Sequence, residues 1–74
     1  SPGALTSLDG EPIKIWRARV VEQPLPSGTV TNDLVVGCGE GALAIEELQR
    51  SGGKRLSAAE FLRGRPLAPG ARFT

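Results

Sequence analysis

The 74-residue chain contains no histidine and a single cysteine, Cys38. Without histidine, neither a Ser-His-Asp triad nor a Cys-His pair can be assembled from this chain. A nucleophilic cysteine would have no imidazole to activate it, and a zinc site built on Cys and His fails on ligand number. One thiol also cannot form an internal disulfide, which fits a reducing, cytoplasmic setting. Cys38 is therefore expected to be a small buried apolar residue. Aromatic residues are equally sparse, at one tryptophan and two phenylalanines. An extended base-stacking surface has little to draw on. No apolar run approaches the roughly 20 residues needed to span a bilayer, and the first residues do not resemble a secretory leader.

What remains is ordinary for a small globular domain: 39% hydrophobic and 23% charged residues. Net charge is only +1, but it is unevenly distributed. Lys14, Arg17 and Arg19 form one basic cluster. Residues 21–49 carry Glu22, Asp33, Glu40, Glu46 and Glu47 with no base. Residues 50–74 carry Arg50, Lys54, Arg55, Arg63, Arg65 and Arg72 against Glu60 alone. Seven of the nine bases are arginine, whose planar fork suits phosphate.

Gly and Pro divide the chain into short segments. Leu5 to Leu8 reads as a short strand, and Asp9-Gly10 as a hairpin turn. Ile13 to Val21 is rich in β-branched residues and reads as the best strand. Alternation puts Trp16, Ala18 and Val20 on one face, suited to a core with Trp16 as its anchor. Arg17, Arg19 and Val21 fall on the other. The alternative for Trp16 is a base-stacking platform, which has no neighbouring aromatics. Gly28 to Thr31 and Leu34 to Cys38 read as further strands, the latter with Leu34, Val36 and Cys38 on one face. Asn32-Asp33 is a turn between them. Ala42 to Arg50 carries helix-favouring residues yet also alternates at Leu43 and Ile45, with an irregularity at Glu46-Glu47, so periodicity alone leaves it open.

Ser57 followed by Glu60 is a capping box, with Leu56 and Phe61 placed for a hydrophobic staple. The helix is short, over residues 58–63. Gly64 is placed to end it, and Pro66, Pro69 and Gly70 prevent its continuation. Pro69-Gly70 suits a type II turn, and Arg72-Phe73-Thr74 a closing strand. Several short strands and one helix point to a mainly β, small barrel.

Chemical motifs are few. Gly37-Cys38-Gly39-Glu40-Gly41 is G-x-G-x-G, lacks the spacing of a dinucleotide loop, and reads as a turn. Glu46 and Glu47, as neighbours in a strand, are expected on opposite faces and so not as an acid/base pair. The basic residues Lys14, Arg17, Arg19, Lys54, Arg55, Arg63 and Arg65 are the remaining candidates, for backbone contacts to a folded RNA. Arg63 near the helix C-terminus also complements the macrodipole.

Four ordered blocks resemble the C-terminal domain of the methionyl-tRNA formyltransferase family. They are Leu8-Asp9-Gly10 through Ile13-Lys14-Ile15-Trp16-Arg17-Ala18; Cys38-Gly39-Glu40-Gly41-Ala42-Leu43 with Leu48-Gln49; Gly53-Lys54-Arg55-Leu56-Ser57-Ala58-Ala59-Glu60-Phe61-Leu62-Arg63-Gly64-Arg65; and Leu67 to Phe73. The resemblance implies an OB-like barrel of about five to six short strands with one short helix. It favours a strand over Ala42 to Arg50. It places residues 1–7 at the end of an interdomain linker or in a first short strand, and the barrel domain over 8–74, so the chain would be an excised domain or a proteolytic fragment.

The resemblance also implies a separate N-terminal, Rossmann-like catalytic domain that uses 10-formyltetrahydrofolate and acts on initiator methionyl-tRNA. On that reading this chain holds no catalytic residue, cofactor or metal. Its partners are the initiator tRNA, which it orients, and the catalytic domain. The alternative is a structural accessory barrel of another folate-dependent formyltransferase, acting on an amino-sugar nucleotide or in 10-formyltetrahydrofolate dehydrogenase, without RNA.

Overall fold

The computed structural model describes residues 3–68 and 70–73. Its elements are β1 (Ala4–Leu8), β2 (Glu11–Val21), β3 (Val35–Gly37), β4 (Ala42–Arg50), β5 (Arg55–Ser57) and α1 (Ala58–Gly64). All strand pairings are antiparallel. The path runs β1-β2-β4-β3, and β5 also pairs with β4. Three isolated bridges then close the sheet into a ring: Val36 to Val30, Thr29 to Arg72, and Phe73 to Leu8. These bridges draw the two ends of the curled sheet together and cover part of the edges that a small open sheet would expose. The result is the expected mainly β, OB-like barrel with one short helix. The expected strands at Gly28–Thr31 and at Arg72–Phe73 appear as these bridge segments. Thr74, and Pro69 of the expected type II turn, lie outside the described residues, as do Ser1 and Pro2.

Local chemistry explains the joints. Asp9 and Gly10 both have positive φ, at 49° and 86°. That is the primed hairpin turn whose twist matches its flanking strands. Gly37 lies against the chain at Leu25 and Pro26. A Cβ there would fall 2.1 Å from the Pro26 carbonyl oxygen, so only glycine fits. In α1 both halves of the capping box form: Glu60 N donates to Ser57 Oγ at 3.1 Å, and Ser57 N donates to Glu60 Oε1 at 2.9 Å. Gly64 is the last helical residue and Arg65 the cap, its N–H donating to the Phe61 carbonyl. No left-handed glycine was needed to end the helix.

The core comprises Leu8, Ile13, Leu34, Ile45, Leu48, Phe61, Ala71 and Phe73. Phe61 plugs the barrel from the helix, and Leu56, expected to staple it, packs against the same cluster.

Three expectations fail here. Cys38 is exposed, not buried. The reason is that β3 ends at Gly37, and Cys38 already belongs to the turn, its N–H donating to the Gly41 carbonyl. Leu34 also precedes β3 with a φ of 62°, so the three-residue alternation Leu34, Val36, Cys38 never runs along one strand.

The second failure concerns β2. Ile13 is buried and Ile15 packs on the core, whereas Trp16 is only half-buried, Ala18 is exposed and Val20 is 79% exposed. Between β2 and β4 the pairing runs Ile15 to Leu48, Arg17 to Glu47, then Ala18 to Ile45. Trp16 is thus an extra residue in β2, and Glu46 an extra residue in β4. These are two facing bulges, and each resets its strand's alternation. Ile15 and Ala18 line the same apolar groove, so Trp16 and Arg17 between them both turn to the opposite face. Trp16 is not a core anchor, because the core phase of β2 belongs to Ile13 and Ile15.

The third follows from the second bulge. Ile45 and Leu48 are both buried, so Glu46 and Glu47 between them both turn outward, not to opposite faces.

Candidate nucleic-acid interface

The paired bulges assemble one outward face on the β2-β4-β5 sheet. Lys14, Gln49 and Arg55 lie in one row across three strands, since Lys14 is paired with Gln49 and Gln49 with Arg55. Trp16 lies over this row. Its Nε1–H donates to Gln49 Oε1 at 2.8 Å, and Gln49 Nε2 donates onward to the Gly53 carbonyl at 2.9 Å. Lys14 Nζ stands 4.1 Å from the indole centroid and Arg55 Cζ 4.4 Å. Both are well inside the range at which the ring's negative face attracts a cation.

Carboxylates steady the same face. Glu47 Oε1 accepts from Arg55 at 2.7–2.8 Å. Glu46 is shared by Arg17 at 3.7 Å and Arg19 at 3.6 Å. Away from this face, at the start of β2, Glu11 is likewise shared by Arg50 and by Arg65, the latter at 3.2 Å. The Arg50 hydrogen bond foremost, with help from Arg65, holds the Glu11 carboxyl below the usual carboxylate range. These groupings share a ratio. Glu46 and Glu11 each serve two cations, and among the described residues Glu47 is the one carboxylate bonded within the Lys14–Trp16–Arg55 cluster. Each grouping therefore keeps one net positive charge.

The seven expected residues are placed as follows. Lys14, Arg17, Arg19 and Arg55 come together on the outward face. Arg65 leaves them and joins Arg50 around Glu11. Lys54 and Arg63 lie at the helix, where both contribute electrostatically at Glu60. That carboxyl is also held below its usual range, chiefly by the Ser57 backbone hydrogen bond. Sequence reasoning weighed Trp16 only as a core anchor or a stacking platform, and it missed Gln49 as part of this surface and Arg50 as a partner of Glu11. Arg50 and Gln49 also line an open cleft of about 350 Å³ with Lys14 and Ser51. For Trp16 a signal existed: it is flanked by Lys14 and Arg17, while Ile13 and Ile15 already supply a core-facing phase.

The other side of the ribbon is apolar. Ala4, Ile15, Ala18, Val36, Leu43 and Ile45 line a groove of about 230 Å³ that continues the core surface past the closed barrel. Among the described residues, no cluster of three metal-binding side chains occurs, and no helix is long and apolar enough to cross a membrane.

The family profile described as "Formyl transferase, C-terminal domain" matches residues 1–66. The chain belongs to the formyl transferase C-terminal domain family. Relatives of this barrel include the methionyl-tRNA formyltransferase of Methylobacillus flagellatus, 49% identical over 97% of the chain and 24% of that protein. The enzyme of the same name from Nitrosomonas eutropha is 45% identical over 97% of the chain and 25% of its own length. That of Burkholderia pseudomallei is 46% identical over 97% and 24%. The chain thus spans about a quarter of the curated relatives it matches.

Proposed function

We propose that this barrel is the RNA-holding module of an enzyme that formylates methionyl initiator tRNA. The formyl donor would be 10-formyltetrahydrofolate, bound by a separate catalytic domain, and the setting cytoplasmic. The barrel's task is to orient the tRNA, and no group in it takes part in the transfer. The observation that carries this reading is the outward face of β2, where Lys14, Trp16, Arg17 and Arg19 follow one another with Arg55 alongside. Their ion-paired groupings keep excess positive charge. That the relatives are methionyl-tRNA formyltransferases supports the choice of acceptor.

Such a face suits phosphate contacts, which position a nucleic acid without reading its sequence. A near-neutral domain with a local basic strip gives weak, salt-sensitive binding, which is adequate for a module tethered to its active site. The test is titration of the chain with initiator tRNA at rising ionic strength. Binding at low salt that weakens log-linearly as salt rises is expected. No detectable binding at low salt would remove the reading.

A second reading, an accessory barrel that packs against a catalytic domain without touching RNA, draws on the apolar groove that Leu43 helps line and on exposed Val20. It predicts that tRNA titration is blank.

A further inference from the structure

We infer that Trp16 is a positioning residue that presets Lys14 and Arg55 as a phosphate clamp, and does not itself stack on a base. This deepens the RNA-holding reading and rests on it. An exposed lysine or arginine is a flexible chain, and ordering it onto a ligand costs conformational entropy. Here that ordering is present before any ligand arrives. The ammonium of Lys14 and the guanidinium of Arg55 share one indole ring at 4.1 and 4.4 Å. The ring is pinned in turn by Gln49, and Gln49 by the Gly53 carbonyl. Arg55 is held from a second direction by Glu47. Each member is restrained by at least one neighbour, across three strands of a hydrogen-bonded sheet.

The charges argue for the ligand class. Two cations on one ring repel each other. Glu47 offsets Arg55, but among the described residues Lys14 has no carboxylate partner. Anionic oxygens that contact these two cations offset that repulsion, and a ribose-phosphate backbone supplies them. The ring's π-field is already engaged by both cations, so a base that stacked would compete with them for it.

The test holds total charge constant. Trp16→Leu removes the ring and no charge. The clamp predicts roughly threefold to tenfold weaker tRNA binding for Trp16→Leu, the range that a cation–π contact of ordinary strength implies. It predicts little further loss when Trp16→Leu is added to a chain that already carries Lys14→Ala and Arg55→Ala. Trp16→Phe, which keeps an aromatic face, should fall between wild type and Trp16→Leu. Inorganic polyphosphate, which has no bases, should show the same dependence on Trp16.

If the wild-type chain binds tRNA and Trp16→Leu binds equally well, the clamp is refuted while the RNA-holding reading survives. If Trp16→Leu weakens tRNA but not polyphosphate, the ring stacks a base and the clamp is again refuted. If the wild-type chain binds no tRNA, both fall. A readout independent of any variant's folding is the proton spectrum of the wild-type chain. The Lys14 ε-methylene and Arg55 δ-methylene protons should be shifted upfield by the indole ring current. Resonances at ordinary positions would overturn the geometry.

Discussion

The two faces of the β2–β4 ribbon are made by the same two strands and have almost nothing in common. The inner face presents Ile13, Ile15, Ala18, Leu43, Ile45 and Leu48, which pass from the sealed core into an open apolar groove. The outer face presents Lys14, Trp16, Arg17, Arg19, Glu46, Glu47 and Gln49. A regular antiparallel ribbon would give each face every second residue. The facing bulges at Trp16 and Glu46 give the outer face two consecutive residues on each strand and leave the inner face unbroken. The fold thereby concentrates charge on one side without placing any in the core, where the described residues include no buried polar or charged side chain.

If this division is real, substitutions on the two faces should separate stability from binding. The largest effect is expected at Leu48, fully buried at the ribbon's centre. Leu48→Ala should cost about 2–5 kcal/mol in denaturant unfolding, enough to unfold much of so small a domain. Next is the helix that carries Phe61 into the core. Ser57→Ala removes a cap that accepts from Glu60 N, and should cost about 1 kcal/mol, read as a lowered Tm. On the outer face, replacing Arg17 and Arg19 together by Ser should move Tm very little. Exposed ion pairs of this kind contribute about 0–1 kcal/mol. The same double change should reduce the slope of log affinity for tRNA against log salt by up to about 2, one counterion per lost phosphate contact.

The smallest effect is on pH dependence. Glu11 and Glu60 have carboxyls held below the usual range in the folded state. Folding therefore favours their ionised forms. Their contribution is fully present above the ordinary carboxylate range and is lost as pH falls through that range toward the lowered values. Acid titration followed by circular dichroism should show this loss, and Glu11→Gln should flatten it.

Much of this fold was legible because its signals are local. Asp9-Gly10 specifies a hairpin turn, and Ser57 with Glu60 specifies a helix start, whatever surrounds them. The ordered motif blocks carried the family. The phase of β2 was not legible. A bulge leaves no mark on one strand's sequence, since it is a mismatch between two strands and is visible only with the partner in register. Reading Trp16 with Ala18 and Val20 was correct for an ideal strand, and failed because Trp16 is the inserted residue. Glu46 and Glu47 were misread for the same reason, although the irregularity there was apparent in the pattern. The candidate site was half legible. Charge alone singled out Lys14, Arg17, Arg19 and Arg55, which the fold gathers on one face, but their counter-ions and the Trp16–Gln49 link depend on cross-strand neighbours far away in sequence.

The central claim is that the outer face of β2 is where RNA meets the barrel, and Trp16, the only tryptophan, reports on it directly. Its fluorescence should be followed as initiator tRNA is added at low salt, with correction for absorption by the RNA. The account predicts a saturable change in Trp16 emission that reverses as salt is raised, with a midpoint matching binding measured independently. Binding that leaves Trp16 emission unchanged would contradict it, because the RNA would then be held somewhere else on the barrel.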